Sequence, residues 1–363
     1  ALVQRHGALH STYVPPADGS AVEVVYDPAS VDGIVQVHDL ADVEPSARRE
    51  ALATLADAQA SSSFDLQSGP VAKCAIVRCS DEDHVVFVNI HHVAADGWSY
   101  RIIEDELKTL YSGGDLPPVP FQYADYAHWQ RSAIAGVLEE QLAYWRGQLG
   151  SDLSPITLPY DRPHPTQASF RARTLEFVVP ADVVVKLEGI CAENHTTMFM
   201  TVLAVYQLLL HMYSGQHAVN VGCPIAGRSR TEFESTVGCF VNTLVMRTVF
   251  NSGIRTFPDL LAAVKEMSLA AFDNQDVPFE ALVKELQPVR DEKRNPLFQV
   301  FFDLDGSAAR GRSRWALGDA TVESVEPPMH TTQFELAVSF STHEGTSGSD
   351  SDGVFLRGEL EFA

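Results

Sequence analysis

Val85-Val86-Phe87-Val88-Asn89-Ile90-His91-His92-Val93-Ala94-Ala95-Asp96-Gly97-Trp98-Ser99 is the stretch on which the reading of this chain turns. Its first six residues are β-branched or apolar apart from Asn89, which reads as a buried strand. Two histidines follow, then three small residues, then Asp96-Gly97. Side chains alternate between the two sides of an extended chain, so one histidine can face a cavity while its neighbour faces packed interior. An imidazole, with an ordinary pKa of about 6.5, suits proton transfer from an amine or hydroxyl near neutral pH. Asp96 sits at the same turn and can pair with a cation that holds the turn in shape. Taken alone, the string fits a satisfied pair of core histidines equally well.

Beyond the turn, Ser99 is expected to cap a helix whose apolar positions Ile102, Ile103, Leu107, Leu110 and Tyr111 recur at helical spacing until Gly113-Gly114. Residues 115 to 165 are rich in proline and aromatic residues, among them Pro117, Pro118, Pro120, Pro155, Pro159, Pro163 and Pro165. With a short helix over 138 to 149, this region reads as a bridge between two mixed α/β halves, 1–160 and 161–363. In the second half, Thr196 or Thr197 caps an apolar helix from 198 to about 212. Further helices are expected over 257–272 and 278–286, and strands over 218–222, 297–304, 336–341 and 354–362. Residues 344 to 353, full of Ser, Gly and Asp, read as a mobile loop.

The formal charge is −22, from 26 Lys and Arg against 48 Asp and Glu, with no basic block to neutralise phosphates. Nucleic acid is therefore excluded as a partner class, and the acidic surface favours solubility. The longest apolar run, 198 to 210, is broken by Gln207 and falls short of the roughly 20 residues that cross a bilayer, so no membrane association is expected. Five cysteines, Cys74, Cys79, Cys191, Cys223 and Cys239, are scattered without metal-ligand spacing. They suit reduced thiols in a cytoplasmic protein, and no metal site is expected. The opening Ala1-Leu2-Val3-Gln4-Arg5-His6 lacks an initiator Met and any targeting character, so the chain is expected to be cut from something larger, its first lobe lacking a start and its second an end.

The stretch His91 to Ser99 resembles the HHxxxDG motif of condensation domains of non-ribosomal peptide synthetases, in the chloramphenicol-acetyltransferase-like superfamily. Five other segments resemble that family's motifs in the same order: Arg5-His6-Gly7-Ala8-Leu9, Tyr123-Ala124-Asp125-Tyr126-Ala127-His128-Trp129, Val237-Gly238-Cys239-Phe240-Val241-Asn242-Thr243-Leu244, Gln275-Asp276-Val277-Pro278-Phe279-Glu280 and Arg294-Asn295-Pro296-Leu297-Phe298-Gln299. The resemblance implies an α/β fold of two chloramphenicol-acetyltransferase-like lobes in a V, with a tunnel between them. It implies peptide-bond formation between substrates carried on 4'-phosphopantetheine arms of donor and acceptor peptidyl carrier domains, beside an adenylation domain, with no cofactor bound by the domain itself.

The resemblance also distributes roles. His92, the second histidine, becomes the functional one, either as general base or as a group that positions the amine. His91 and Asp96 become structural, with Asp96 in a salt bridge to Arg228, and Gly97 leaves room for close approach of a substrate arm or backbone. Trp98 is a candidate to line the tunnel, and Asn242 and Gln275, as uncharged polar groups, could either hydrogen-bond across the lobes or line it, while Tyr123, Tyr126 and Trp129, at helical spacing, read as packing. The histidines outside the motif, His6 among them, are assigned surface or packing roles. Two other functions stay open: a stand-alone ester-forming acyltransferase of the same fold, and a non-catalytic carrier-docking module.

Overall fold

The computed structural model describes residues 1–14, 22–27, 34–150, 152–161, 170–288, 294–304, 314–325, 331–344 and 354–363. Pro163, His164, Pro165 and the loop expected after Glu344 lie outside the described residues. The chain forms two compact units. The first comprises Ala1–Ser132, Arg228–Phe240 and Arg312–Pro328, and the second comprises Ala133–Gly227, Val241–Gly311 and Met329–Ala363.

In the first unit, Val35–Asp39 runs parallel to Ala72–Arg78, which in turn pairs antiparallel with the motif strand His84–Ile90. Ala75 and Val77 are buried on one face of this sheet. The opposite face is open, with Val86 55% and Val88 51% exposed, so the motif strand is half-covered rather than buried on both sides as its composition suggested. β-branched residues form extended chain on either kind of surface, which is why composition alone does not separate the two. The helix Pro45–Ala60 is tied to the motif strand where Asn89 Nδ2 donates to the Gln59 carbonyl at 2.6 Å.

The helix Gly97–Tyr111 follows the turn and lays Ile102 and Ile103 on a small core of Leu9, Ala72 and Val237. Its cap is Asp96, whose side chain accepts from the Ser99 amide; Ser99 is not the cap. Both residue types cap well, and the extended backbone at Asp96 is what decides between them. The helix Tyr123–Ile134 places Tyr123, Tyr126 and Trp129 three residues apart, and they cluster with Phe233 and Phe240. Tyr126 stands 4.4 Å from the Phe240 ring centroid and 5.2 Å from that of Phe233.

The second unit is built on a six-stranded mixed sheet in the order Arg173–Val179, Val354–Phe362, Leu336–Glu344, Val300–Leu304, Ala218–Ile225, Asn242–Val249. Its core includes Leu203, Val221, Leu244 and Phe302. The helix Met198–Ser214 is capped by Thr197, which accepts from Met200 N. Gln207 breaks its apolar run yet is fully buried, because Nε2 donates to Met246 O and Oε1 accepts from Thr248 Oγ1. The strand expected from 297 starts only at Val300: Leu297 has φ 71°, and the Phe298 ring fills the space where a Cβ on Gly222 would stand. Among the described residues, no single helix is long and apolar enough to cross a membrane.

The two compact units do not follow a single cut at residue 160. The helix Leu138–Leu149 belongs to the second unit, where Trp145 and Leu149 are buried and Trp145 Nε1 donates to Asn274 O at 2.9 Å. Conversely, residues 228–240 return to the first unit from within the sequence of the second.

Candidate active site

The motif strand ends at Ile90, so both histidines stand on the turn after it. The two rings are treated differently, as the alternation argument expected, but the turn rather than the strand pleat separates them. His91 is half-buried: its amide donates to Val71 O, its ring meets Phe64 edge-on at 5.7 Å, and Nδ1 accepts from Val93 N at 3.0 Å. A ring nitrogen that accepts an amide proton needs its lone pair, and burial, aided by His92, pushes the His91 pKa below the ordinary range. His91 is thus a neutral brace inside the turn. His92 is exposed, and its Nδ1 stands 3.5 Å from Cys239 Sγ.

Asp96 is the hub beneath the turn. Oδ1 accepts from Ser99 N at 2.9 Å, Ser99 Oγ at 2.7 Å and Arg228 Nη2 at 3.1 Å, and Oδ2 accepts from Phe240 N at 3.0 Å. Both side chains of the ion pair are almost wholly buried, Arg228 at 2% and Asp96 at 5% exposure. Nη1 donates to Phe233 O at 2.7 Å and Thr236 O at 2.8 Å, Cζ lies 3.8 Å from the Phe240 ring centroid, and Nε is buried without a hydrogen-bond partner. Burial lowers the Arg228 pKa and Asp96 opposes that shift. The pair therefore binds residues 228–240 to the base of the motif.

Ser99 and Gly238 complete the weld. Ser99 Oγ accepts from Arg228 Nη2 and from Gly238 N, each at 3.1 Å, and lies 2.9 Å from Gly238 O. A Cβ on Gly238 would sit 2.2 Å from Tyr123 Cδ2, so only glycine fits there. Gly97 opens the helix immediately after Asp96. Trp98 is exposed, with its indole Nε1 donating to Glu234 O at 2.9 Å.

Asn242 and Gln275 belong to the second unit, and for Asn242 the hydrogen-bonding role left open by the sequence is the one seen, within that unit. Asn242 Nδ2 donates to Gln275 O at 3.0 Å and Val277 O at 2.7 Å, while Oδ1 accepts from Thr243 N and Phe279 N. A carboxamide has two donors and two acceptor sites, so nothing is left for a substrate. The Gln275 side chain donates from Nε2 to Phe272 O at 2.7 Å. Asn242→Ala should lower stability by about 2–3 kcal/mol by orphaning these groups; a denaturant midpoint equal to the parent's would refute it.

Sequence reasoning did not single out Cys239 or Ser99 as site residues, and both act through contacts more than 100 residues away in sequence. It also assigned His6 a surface or packing role. His6 is 1% exposed, with Nε2 2.7 Å from Glu106 Oε2, while Arg5 Nε donates to Glu106 Oε1 at 2.8 Å. Burial drives the His6 pKa down, against the pull of Glu106. The signal was present: Glu106 lies four residues after Ile102 and three after Ile103, on the helix face that turns inward. Among the described residues, no group of His, Cys, Asp or Glu could hold a metal ion.

A family model described as "Condensation domain" matches residues 1–348. One of the proteins of the linear gramicidin synthase of Brevibacillus parabrevis is 41% identical over 310 residues, covering 84% of this chain and 4% of that protein. Phosphinothricin tripeptide synthetase PhsC of Streptomyces viridochromogenes is 34% identical over 353 residues, covering 95% of this chain and 32% of its own length. The chain thus spans less than a third of either relative. Among solved structures, the X-domain from teicoplanin biosynthesis matches with a TM-score of 0.85 at 24% identity, covering 100% of this chain and 80% of that one. The first condensation domain of the calcium-dependent antibiotic synthetase, in complex with a substrate analogue, matches with a TM-score of 0.73 at 17% identity, covering 99% and 79%. At these identities the likeness is one of fold.

Proposed function

We infer, since this chain belongs to the condensation-domain family of non-ribosomal peptide synthetases, that it forms an amide bond between two building blocks delivered by carrier proteins. One observation carries the reading: the turn spends His91 on its own backbone and leaves His92 exposed. A paired histidine kept only for packing would be expected to bury both rings.

In the proposed reaction, the amine nitrogen of the acceptor attacks the carbonyl carbon of the donor thioester. The C–N bond forms and the C–S bond breaks. His92 Nε2 takes the proton from nitrogen and returns it to the departing sulfur, and the lengthened chain ends on the acceptor arm. The thioester is already activated, so the domain needs no covalent nucleophile; holding two reactants together supplies much of the rate. Both substrates ride on 4'-phosphopantetheine arms of partner carrier domains. An adenylation domain alongside would load them, a layout supported by the length of the synthetases that this chain matches in part.

The test uses two separate carriers, one loaded with a donor acyl group and one with an aminoacyl group, and follows both by mass spectrometry. Amide appearing on the acceptor carrier, with a free thiol on the donor, is the expected result. Product formed only when the acceptor offers a hydroxyl would favour an ester-forming transferase. Absence of transfer with carriers that nonetheless bind would leave a docking module.

A further inference from the structure

We propose that Cys239 is a positioning residue for His92: its sulfur accepts a hydrogen bond from Nδ1–H and so holds the imidazole in the tautomer whose Nε2 lone pair meets the acceptor amine. This rests on the reading of His92 given above and adds to it a residue 147 positions away from the histidine turn.

Three consecutive residues are pinned from three directions. Gly238 exchanges contacts with the Ser99 hydroxyl through both its amide and its carbonyl. The Cys239 carbonyl accepts from Tyr123 Oη at 2.8 Å, and the Phe240 amide donates to Asp96 Oδ2 at 3.0 Å. Backbone held at every residue cannot swing, so the side chain of the middle residue has a fixed origin, and its sulfur reaches His92 Nδ1 at 3.5 Å. The distance suits the large radius of sulfur. An exposed imidazole without such a partner spins about its Cα–Cβ and Cβ–Cγ bonds and samples both tautomers.

The chemistry favours this direction. On taking the amine proton at Nε2, the ring becomes imidazolium and both nitrogens donate. If Nδ1–H already points at sulfur, that hydrogen bond persists through the proton transfer and nothing must rearrange. A carboxylate or carbonyl commonly plays this part behind a working histidine; here a half-buried thiol stands in its place. Tyr13, Tyr123, Tyr126, Glu23, His91, Asp96 and Arg228 are titratable groups tied electrostatically to this corner of the site. His91 is spent on Val93 N and cannot substitute for the sulfur.

The experiment labels histidine side chains with nitrogen-15 and reads the His92 tautomer by long-range proton–nitrogen correlation, the assignment coming from the peaks missing in His92→Ala. The parent should show Nδ1–H. Cys239→Ala should move the ring toward Nε2–H and lower kcat roughly three- to tenfold with KM unchanged, the loss expected of one modest hydrogen bond. Cys239→Ser, which keeps an acceptor, should recover part of both. An Nε2–H ring in the parent, or a Cys239→Ala variant with unaltered tautomer and kcat, overturns the proposal. Should Cys239→Ala not fold, the parent spectrum and the serine variant still decide. His92→Ala condensing at the parent rate would end the reading of His92 instead, a result separate from the spectrum.

Discussion

Asp96→Ala lowers the stability of the site-bearing unit by about 3–5 kcal/mol, the range for removing one partner of a buried ion pair. The substitution leaves the Arg228 guanidinium, 2% exposed, without its counter-charge. It also strips the cap from the helix Gly97–Tyr111 and orphans the Ser99 and Phe240 amides. In a thermal melt, this corresponds to a fall of roughly 6–20 °C. Removing both charges together, as in Asp96→Leu with Arg228→Met, should be less damaging than the single change, because apolar side chains of similar size tolerate burial. A single variant melting with the parent would show that the pair adds nothing to the fold.

His92→Ala has the opposite profile. The ring is exposed and lies outside every core cluster, so the melting temperature should stay near that of the parent. The rate of carrier-to-carrier transfer should fall about 10²–10⁴-fold, the usual contribution of a positioned acid–base group. Measuring both quantities on both variants separates the two proposed roles within one motif, stability for Asp96 and turnover for His92. Parent-like turnover in His92→Ala would require another group to manage the proton.

The local grammar of the chain was legible because it depends on neighbours in sequence. The body of the helix Gly97–Tyr111, a threonine cap at 196 or 197 and the strand Val354–Phe362 follow from periodicity and capping chemistry that need no tertiary information. What was not legible depends on partners far along the chain. For Asn242 the sequence leaves hydrogen bonding within the protein and tunnel lining side by side, because two of the four bonds that decide for the first run to carbonyls more than 30 residues away. Cys239 looked like one scattered thiol among five, because its meeting with His92 spans 147 residues. The exposed valines of the motif strand were missed for a different reason. Burial of the second face depends on what covers it, and the strand's own residues do not encode its cover.

The site-bearing unit takes a short insert, Arg228–Phe240, from deep within the other unit's sequence. That has a practical bearing on chimeras. A crossover placed anywhere between residues 133 and 227 keeps the recipient's histidine turn but imports the donor's arginine and sulfur beneath it. The grafted chain would then carry a mismatched seat under His92. Carrying 228–240 along with the first 132 residues is the more conservative splice.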